Sequence, residues 1–196
     1  NIIVSSTGSA PLLPPIAGLK DRIDNENHNI YSILGMISHI NDFPKDLKGK
    51  KVVVVGGGAV GLDVVEFFAD RNADISIVEM MDQIGRDLDP VSKNDTKIMM
   101  KKHNVHQLTK TALLEVKDSS FLVKGDGEPY ELPFEYGFVC LGMRAQGQLY
   151  QNLTEEFSSE DVEIMNIGDS QRARRIIDGT QEGRNILTIL EQKGYL

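Results

Sequence analysis

The sequence predicts an α/β fold, a parallel β-sheet with helices on both faces plus a small antiparallel β-meander. Three observations carry that expectation. Val52, Val53, Val54 and Val55 run without polar alternation, as a strand buried on both faces requires. A glycine-rich turn follows and opens a segment with apolar residues at helical spacing: Val60, Val64, Phe67 and Phe68. A second strand-like run over residues 74–79 then completes strand, helix and strand in about thirty residues, the length of one βαβ unit.

The other elements follow in order. Residues 2–5 read as a short strand ended by Thr7-Gly8-Ser9. The proline-rich stretch 11–15 lacks backbone donors and forms a loop leading to Gly18. Residues 30–40 have helical spacing, and the polar, proline-containing stretch 41–49 reads as a linker. Residues 59–71 form the helix after the glycine turn, and residues 90–103 predict another. Short alternating runs at 112–116, 120–124 and 131–133, with Gly125-Asp126-Gly127 as a turn, predict the meander. Residues 136–141 form a further buried strand ending at Gly142. The acidic stretch 154–161 reads as an exposed connection, residues 162–167 as a strand, and residues 174–193 as a closing helix.

Bulk properties narrow the function classes. A chain of 196 residues suits one domain, or one domain plus pieces of a second. Its net charge of −8 argues against a nucleic-acid partner, which needs a basic surface. No run of eighteen apolar residues predicts a membrane span, and the apolar start lacks the basic flank of a secretory leader. The single cysteine, Cys140, excludes an internal disulfide and fits a reducing, cytoplasmic setting. His28, His39, His103 and His106 show no metal-ligand spacing, so no metal is expected. Because Asn1-Ile-Ile-Val4 is already strand-like and no methionine precedes it, the chain is expected to be part of a larger one.

The chemistry lies in Gly56-Gly57-Gly58-Ala59-Val60-Gly61, which fits G-x-G-x-x-G between a strand and a helix. This makes the sheet Rossmann-like. Gly56 takes the tight turn, Gly58 lets a diphosphate approach the backbone, and Gly61 lets helix and strand pack closely. Unpaired amides at the helix start then hold the diphosphate. Glu79, 18 positions after Gly61 and followed by Met80, suits the adenosine ribose and disfavours a 2′-phosphate. The expected ligand is therefore NAD(H). Arg86 and Lys93 follow Glu79 and can reach a phosphate if the intervening loop folds back, whereas Asp63 reads as a helix-start residue.

With these residues placed, the chain resembles the pyridine-nucleotide half of the FAD/NAD two-dinucleotide flavoprotein reductases. Within them it most resembles the C-terminal region of the 2-enoate reductase and 2,4-dienoyl-CoA reductase (NADH:flavin oxidoreductase) family. The match runs through residues 52–63 and through Ile77-Val78-Glu79-Met80-Met81-Asp82-Gln83-Ile84-Gly85-Arg86-Asp87. Ser6-Thr7-Gly8-Ser9 resembles the Ala-Thr-Gly segment returning from the FAD domain, and Cys140-Leu141-Gly142-Met143-Arg144 resembles the second such segment. The resemblance implies that Gly142 lies near the nicotinamide. It also implies that Thr7, Gly8, Gly168 and Asp169 belong to the FAD side in the intact enzyme. Ser6, Ser170 and Ala173 stand where the family often has alanine, cysteine and proline, and Glu135-Tyr136 replaces its usual aspartate.

Three regions are expected: residues 1–40 as an FAD-domain remnant and linker, 41–153 as the NAD(H)-binding domain, and 154–196 as the returning FAD-domain remnant. With only one glycine motif, the chain alone is expected neither to bind FAD usefully nor to be active. Its expected part in the whole enzyme is to present NADH for hydride transfer to FAD, with an enoate or enoyl-type final substrate and no catalytic residue of its own. The alternative is a non-catalytic NAD(H)-sensing module.

Overall fold

The computed structural model describes residues 1–158 and 162–195. They form two compact units, one of Pro11–Gly142 and the other of Asn1–Ala10 with Met143–Leu196. The stretch from Pro11 to Ile40, expected on the FAD side, belongs to the first of these because its apolar residues pack there. Leu19, Ile23 and Ile30 share a core with Val53 and Val55.

That unit is built on a five-stranded parallel sheet. Its strands in chain order are β3 (Ile30–Tyr31), β4 (Lys51–Val55), β5 (Asp74–Val78), β6 (His106–Leu108) and β10 (Tyr136–Val139), arranged β3-β10-β4-β5-β6. The valines of β4 are each at most 3% exposed, so both faces of the strand are covered. Val52 and Val54 pack with Phe68, Val64 and Met100, contributed by α3 (Ala59–Ala69) and α4 (Pro90–Lys102). Val53 and Val55 face Phe121 and Val123 of an antiparallel sheet made of β7 (Ala112–Val116), β8 (Ser120–Lys124) and β9 (Tyr130–Pro133). Leu19 of the short α1 (Leu19–Arg22) joins that face.

Helices α3 and α4 end alike. Asn72 and Asn104 take left-handed φ values of 59° and 52°, a conformation asparagine tolerates better than most residues. Ala73 then donates to Phe68 O and Val105 to Met100 O, closing the helix ends before β5 and β6 begin. Asp89 caps the start of α4 by accepting from Val91 and Ser92 at 2.9 and 3.1 Å.

Several local expectations change. The single helix expected over 30–40 is β3 followed by α2 (Ile33–Ser38), which starts where the Ser32 hydroxyl accepts from Gly35 N at 3.1 Å. In the expected linker 41–49, Phe43 and Leu47 are buried, and Phe43 stacks edge-on against Phe67 and Phe68. Strand β6 was not expected. Of the expected connection 154–161, Thr154–Glu156 closes α5 (Gln148–Glu156), and residues 159–161 lie outside the described residues.

In the other unit, β1 (Ile2–Ser5) pairs in parallel with β12 (Glu163–Asn166). A strand β2 (Ser9–Pro11) pairs with β11 (Met143–Ala145), and α6 (Ile176–Gln192) follows β12 in this unit. Among the described residues no helix is long and apolar enough to cross a membrane.

Candidate functional site

The carboxyl ends of β4, β5 and β10 open onto a cavity of about 860 Å³ within the Pro11–Gly142 unit. Crevices at strand carboxyl ends are where open parallel sheets take ligands, and this volume lies within the usual range for small-molecule sites. Gly56, Gly57, Gly58, Ala59, Val60, Glu79, Met80 and Gly142 all line it, so eight of the nine residues proposed for NAD(H) meet in one place.

The ninth, Gly61, works underneath. A Cβ there would lie 1.9 Å from Gly56 O, which only a glycine avoids. Gly56 has φ +109°, and a Cβ would lie 2.2 Å from Cys140 O, so the turn is in backbone contact with the residue that follows β10. Gly58 differs: its φ of −77° suits any residue, and a Cβ would meet nothing within 4 Å. The freedom at Gly58 is room on the cavity side, where α3 begins and its first amides have no helical acceptor. Gly142, at φ +104°, is equally open.

Glu79 is fixed more firmly than its sequence position implies. Its Oε2 accepts from Gly57 N at 2.6 Å, and its Oε1 from Met81 N at 2.7 Å. Gly57 O in turn accepts from Gly85 N at 2.7 Å. Both polar backbone atoms of Gly57 are thus tied to the segment 79–85. Each carboxylate oxygen keeps a free lone-pair direction, so the group can still accept from a ligand hydroxyl. Met80 beside it is 69% exposed.

The cavity has walls that the motif alone does not disclose. Leu12, Pro14 and Ile16 line it from the proline-rich loop, held by Leu12 N donating to Gly142 O at 2.9 Å. Thr111 and Leu113 close another side. The apolar character of Leu12-Leu13-Pro14-Pro15-Ile16 was the available signal, since a solvated loop has no need of three aliphatic side chains.

Asp63 lines a separate cleft of about 350 Å³ with Glu66 and Asp95, and burial, then the Glu66 charge, raises its pKa. Cys140 lines the main cavity, and its thiol is pushed up to about 12 by burial and then by Asp63. At pH 8 that thiol is almost wholly protonated and unreactive. Iodoacetamide is therefore expected to leave the native protein unlabelled over hours and to add one adduct in denaturant, read by intact mass. Labelling of the native protein at the denatured rate would contradict this.

The residues proposed for the FAD side lie in the other unit. Thr7 Oγ1 donates to Gln146 O at 2.5 Å, and Gly8 O accepts from Gln146 N at 2.9 Å. Asp169 Oδ2 accepts from Ser9 Oγ at 3.1 Å, and its Oδ1 from Arg174 N at 3.1 Å. Gly168 N donates to Glu182, which also pairs with Arg174. These bonds hold the Glu182 carboxyl below the usual range, the Arg174 contact being the larger cause. The four residues are brought into one polar cluster, with Gly8 and Gly168 both at positive φ and open. No group of three metal-ligating side chains occurs among the described residues.

Comparison with known proteins gives the family. A family model described as pyridine nucleotide-disulphide oxidoreductase matches residues 1–166. The chain is 25% identical over 215 residues to a metal reductase of Desulforamulus reducens, covering 94% of this chain and 30% of that protein. It is 25% identical over 182 residues to an NADH oxidase of Thermoanaerobacter brockii, covering 92% and 26%. A 2-naphthoyl-CoA reductase solved with 2-naphthoyl-CoA superimposes with a TM-score of 0.74 at 21% identity, covering 93% of this chain and 26% of that one. At that identity the likeness shows the fold. The chain therefore spans about a quarter to a third of the length of these relatives. With most of its length matched, it belongs to the pyridine nucleotide-disulphide oxidoreductase family.

Proposed function

We infer that the cavity at Gly56–Gly61 binds NAD(H) and that this chain serves as the nicotinamide-presenting part of a flavin-dependent oxidoreductase. One observation carries the reading: the open backbone at Gly58 and the fixed carboxylate of Glu79 face the same cavity. The diphosphate lies against the amides of Gly58 and Ala59, where the helix dipole favours negative charge. The adenosine ribose hydroxyls donate to Glu79, whose orientation is already set by Gly57 and Met81. The nicotinamide end lies toward Gly142, where the absence of a side chain leaves room for a flat ring.

When bound, NADH supplies a hydride. The chain's own contribution is to bind, orient and shield the dinucleotide, and no side chain here is required as an acid, base or nucleophile. In the whole protein the acceptor is FAD, with Thr7, Gly8, Gly168 and Asp169 on its side. The NADH oxidase among the relatives supports a nicotinamide donor, and the resemblance of residues 77–87 to the 2-enoate reductase family supports an enoate or enoyl-type final substrate. A cytoplasmic setting belongs to the same reading, and its NAD(H)-binding part is the Pro11–Gly142 unit rather than residues 41–153.

The test is a calorimetric comparison of NADH and NADPH on wild-type protein and on Glu79→Arg. Wild type is expected to prefer NADH by roughly tenfold or more, since a carboxylate facing a 2′-phosphate costs on the order of 1–4 kcal/mol. Glu79→Arg is expected to reverse the order, with the melting temperature recording the loss of the Gly57 and Met81 contacts. Equal affinity for both cofactors in wild type would remove Glu79 from the ribose site.

A further inference from the structure

Resting on that reading, we propose that Met80 is an oxidation site in the wall of the dinucleotide cavity, and that its sulfoxide weakens NADH binding. The chain has seven methionines, and burial separates them. Met36 and Met100 are 4% and 3% exposed within the core, and Met99, Met143 and Met165 are partly covered. Met80, at 69%, is the most open of them, with Met81 next at 38%. Both line the cavity at the glycine turn. A dissolved oxidant must collide with the sulfur to react, so the methionines it meets first are the pair beside Glu79.

The backbone on either side of Met80 is pinned, while its side chain is not. Glu79 O accepts from Thr111 N, and Met81 O from Lys110 N, both at 2.9 Å. Glu79 Oε1 also accepts from Met81 N at 2.7 Å. Met80 itself belongs to neither hydrophobic core cluster. Its thioether therefore has little packing to lose, and oxidation leaves the fold standing. What the side chain covers is the adenosine end of a bound dinucleotide, whose ribose meets the neighbouring Glu79.

The oxidant is a peroxide, with hydrogen peroxide as the simplest case. A lone pair of the Met80 sulfur attacks one peroxide oxygen, and the O–O bond breaks as the S–O bond forms. The departing hydroxide takes the proton left on the sulfur-bound oxygen and becomes water. The thioether is oxidised and the peroxide reduced by the same electron pair. A soft, apolar surface is thereby replaced by a polar S=O group. The adenosine loses an apolar wall to pack on, and the new oxygen, which only accepts hydrogen bonds, stands beside a carboxylate that also only accepts. Both changes weaken binding.

The experiment treats the full chain with dilute hydrogen peroxide, removes the peroxide, and maps sulfoxides by peptide mass spectrometry. NADH affinity is measured by calorimetry before and after. Met80 is expected to oxidise ahead of the other methionines, and saturating NAD+, present during the treatment, to slow its oxidation several-fold. Oxidised wild type is expected to bind NADH roughly 5- to 30-fold more weakly at an unchanged melting temperature. Methionine sulfoxide reductases are expected to restore the affinity. Each variant is compared with its own untreated sample: peroxide is expected to weaken binding in Met81→Leu as in wild type, and to change nothing in Met80→Leu. Complete oxidation of Met80 with unchanged NADH affinity, or an equal loss in Met80→Leu, would overturn the role of Met80 and leave the cavity standing. Failure of untreated wild type to bind NADH would overturn the dinucleotide reading, and this proposal with it.

Discussion

Gly58→Val is expected to reduce NADH affinity by more than 100-fold while leaving the melting temperature within a degree or two of wild type. The two halves of that result have separate causes. Gly58 has φ −77° and ψ −178°, extended backbone that valine adopts readily, and nothing lies within 4 Å of its Cβ position. The fold therefore has no objection to the side chain. The ligand does, because the space a Cβ would fill is where the diphosphate must approach the amides of Gly58 and Ala59. Losing two charge-assisted hydrogen bonds of roughly 1.5–3 kcal/mol each accounts for the predicted loss. Calorimetry and thermal melting on the same sample read both halves. A variant that binds NADH normally would place the diphosphate elsewhere.

Gly61→Ala is expected to do the reverse, lowering stability by about 3 kcal/mol before any ligand is added. Its Cβ would stand 1.9 Å from Gly56 O and 3.0 Å from Gly56 C, and both are backbone atoms that cannot rotate away. Relief requires α3 to lift from β4, opening the packing of Leu62, Val64 and Val65 against the valine strand. Overpacking of this kind typically costs about 1–3 kcal/mol, more where backbone meets backbone. The better helix propensity of alanine returns at most about 1 kcal/mol. For a chain of this length the net loss lowers the melting temperature by roughly 6–12 °C. A melting temperature equal to wild type would show that helix and strand are not in the close contact described.

These two glycines occupy equivalent-looking places in one motif, and the sequence distinguishes their roles only through the general logic of the turn. The valine strand, the glycine turn and the acidic strand end were legible because each departs from ordinary composition in a way with one physical explanation. The short elements were not. Ile30 and Tyr31 form β3, but two apolar residues in front of a helix extend its pattern without a break. Strand β6, His-Gln-Leu, sits at the sheet edge with two exposed residues and no alternation. Helix α5 has only Leu149 and Leu153 at helical spacing within polar residues, so no helix is expected there from the pattern, and its last residues fall in the stretch 154–161 that reads as a connection.

The candidate site shows the same division. Gly56, Gly58, Gly61 and Glu79 were named from spacing. That the Glu79 carboxylate grips Gly57 and Met81 depends on how the loop after β5 folds, and no local pattern encodes it. The same is true of Leu12 and Pro14, which reach the cavity through a hydrogen bond to Gly142, far away in sequence. Long-range closure of this kind leaves its trace only as apolar residues where a free loop would be polar.

Backbone amide shift mapping of the chain with NADH tests the central assignment most directly. Saturable shifts are expected at Gly57, Gly58, Ala59, Met81 and Gly142, with Gly8 and Gly168 unmoved. Shifts confined to Gly8 and Gly168, or no saturable shifts at millimolar NADH, would contradict it.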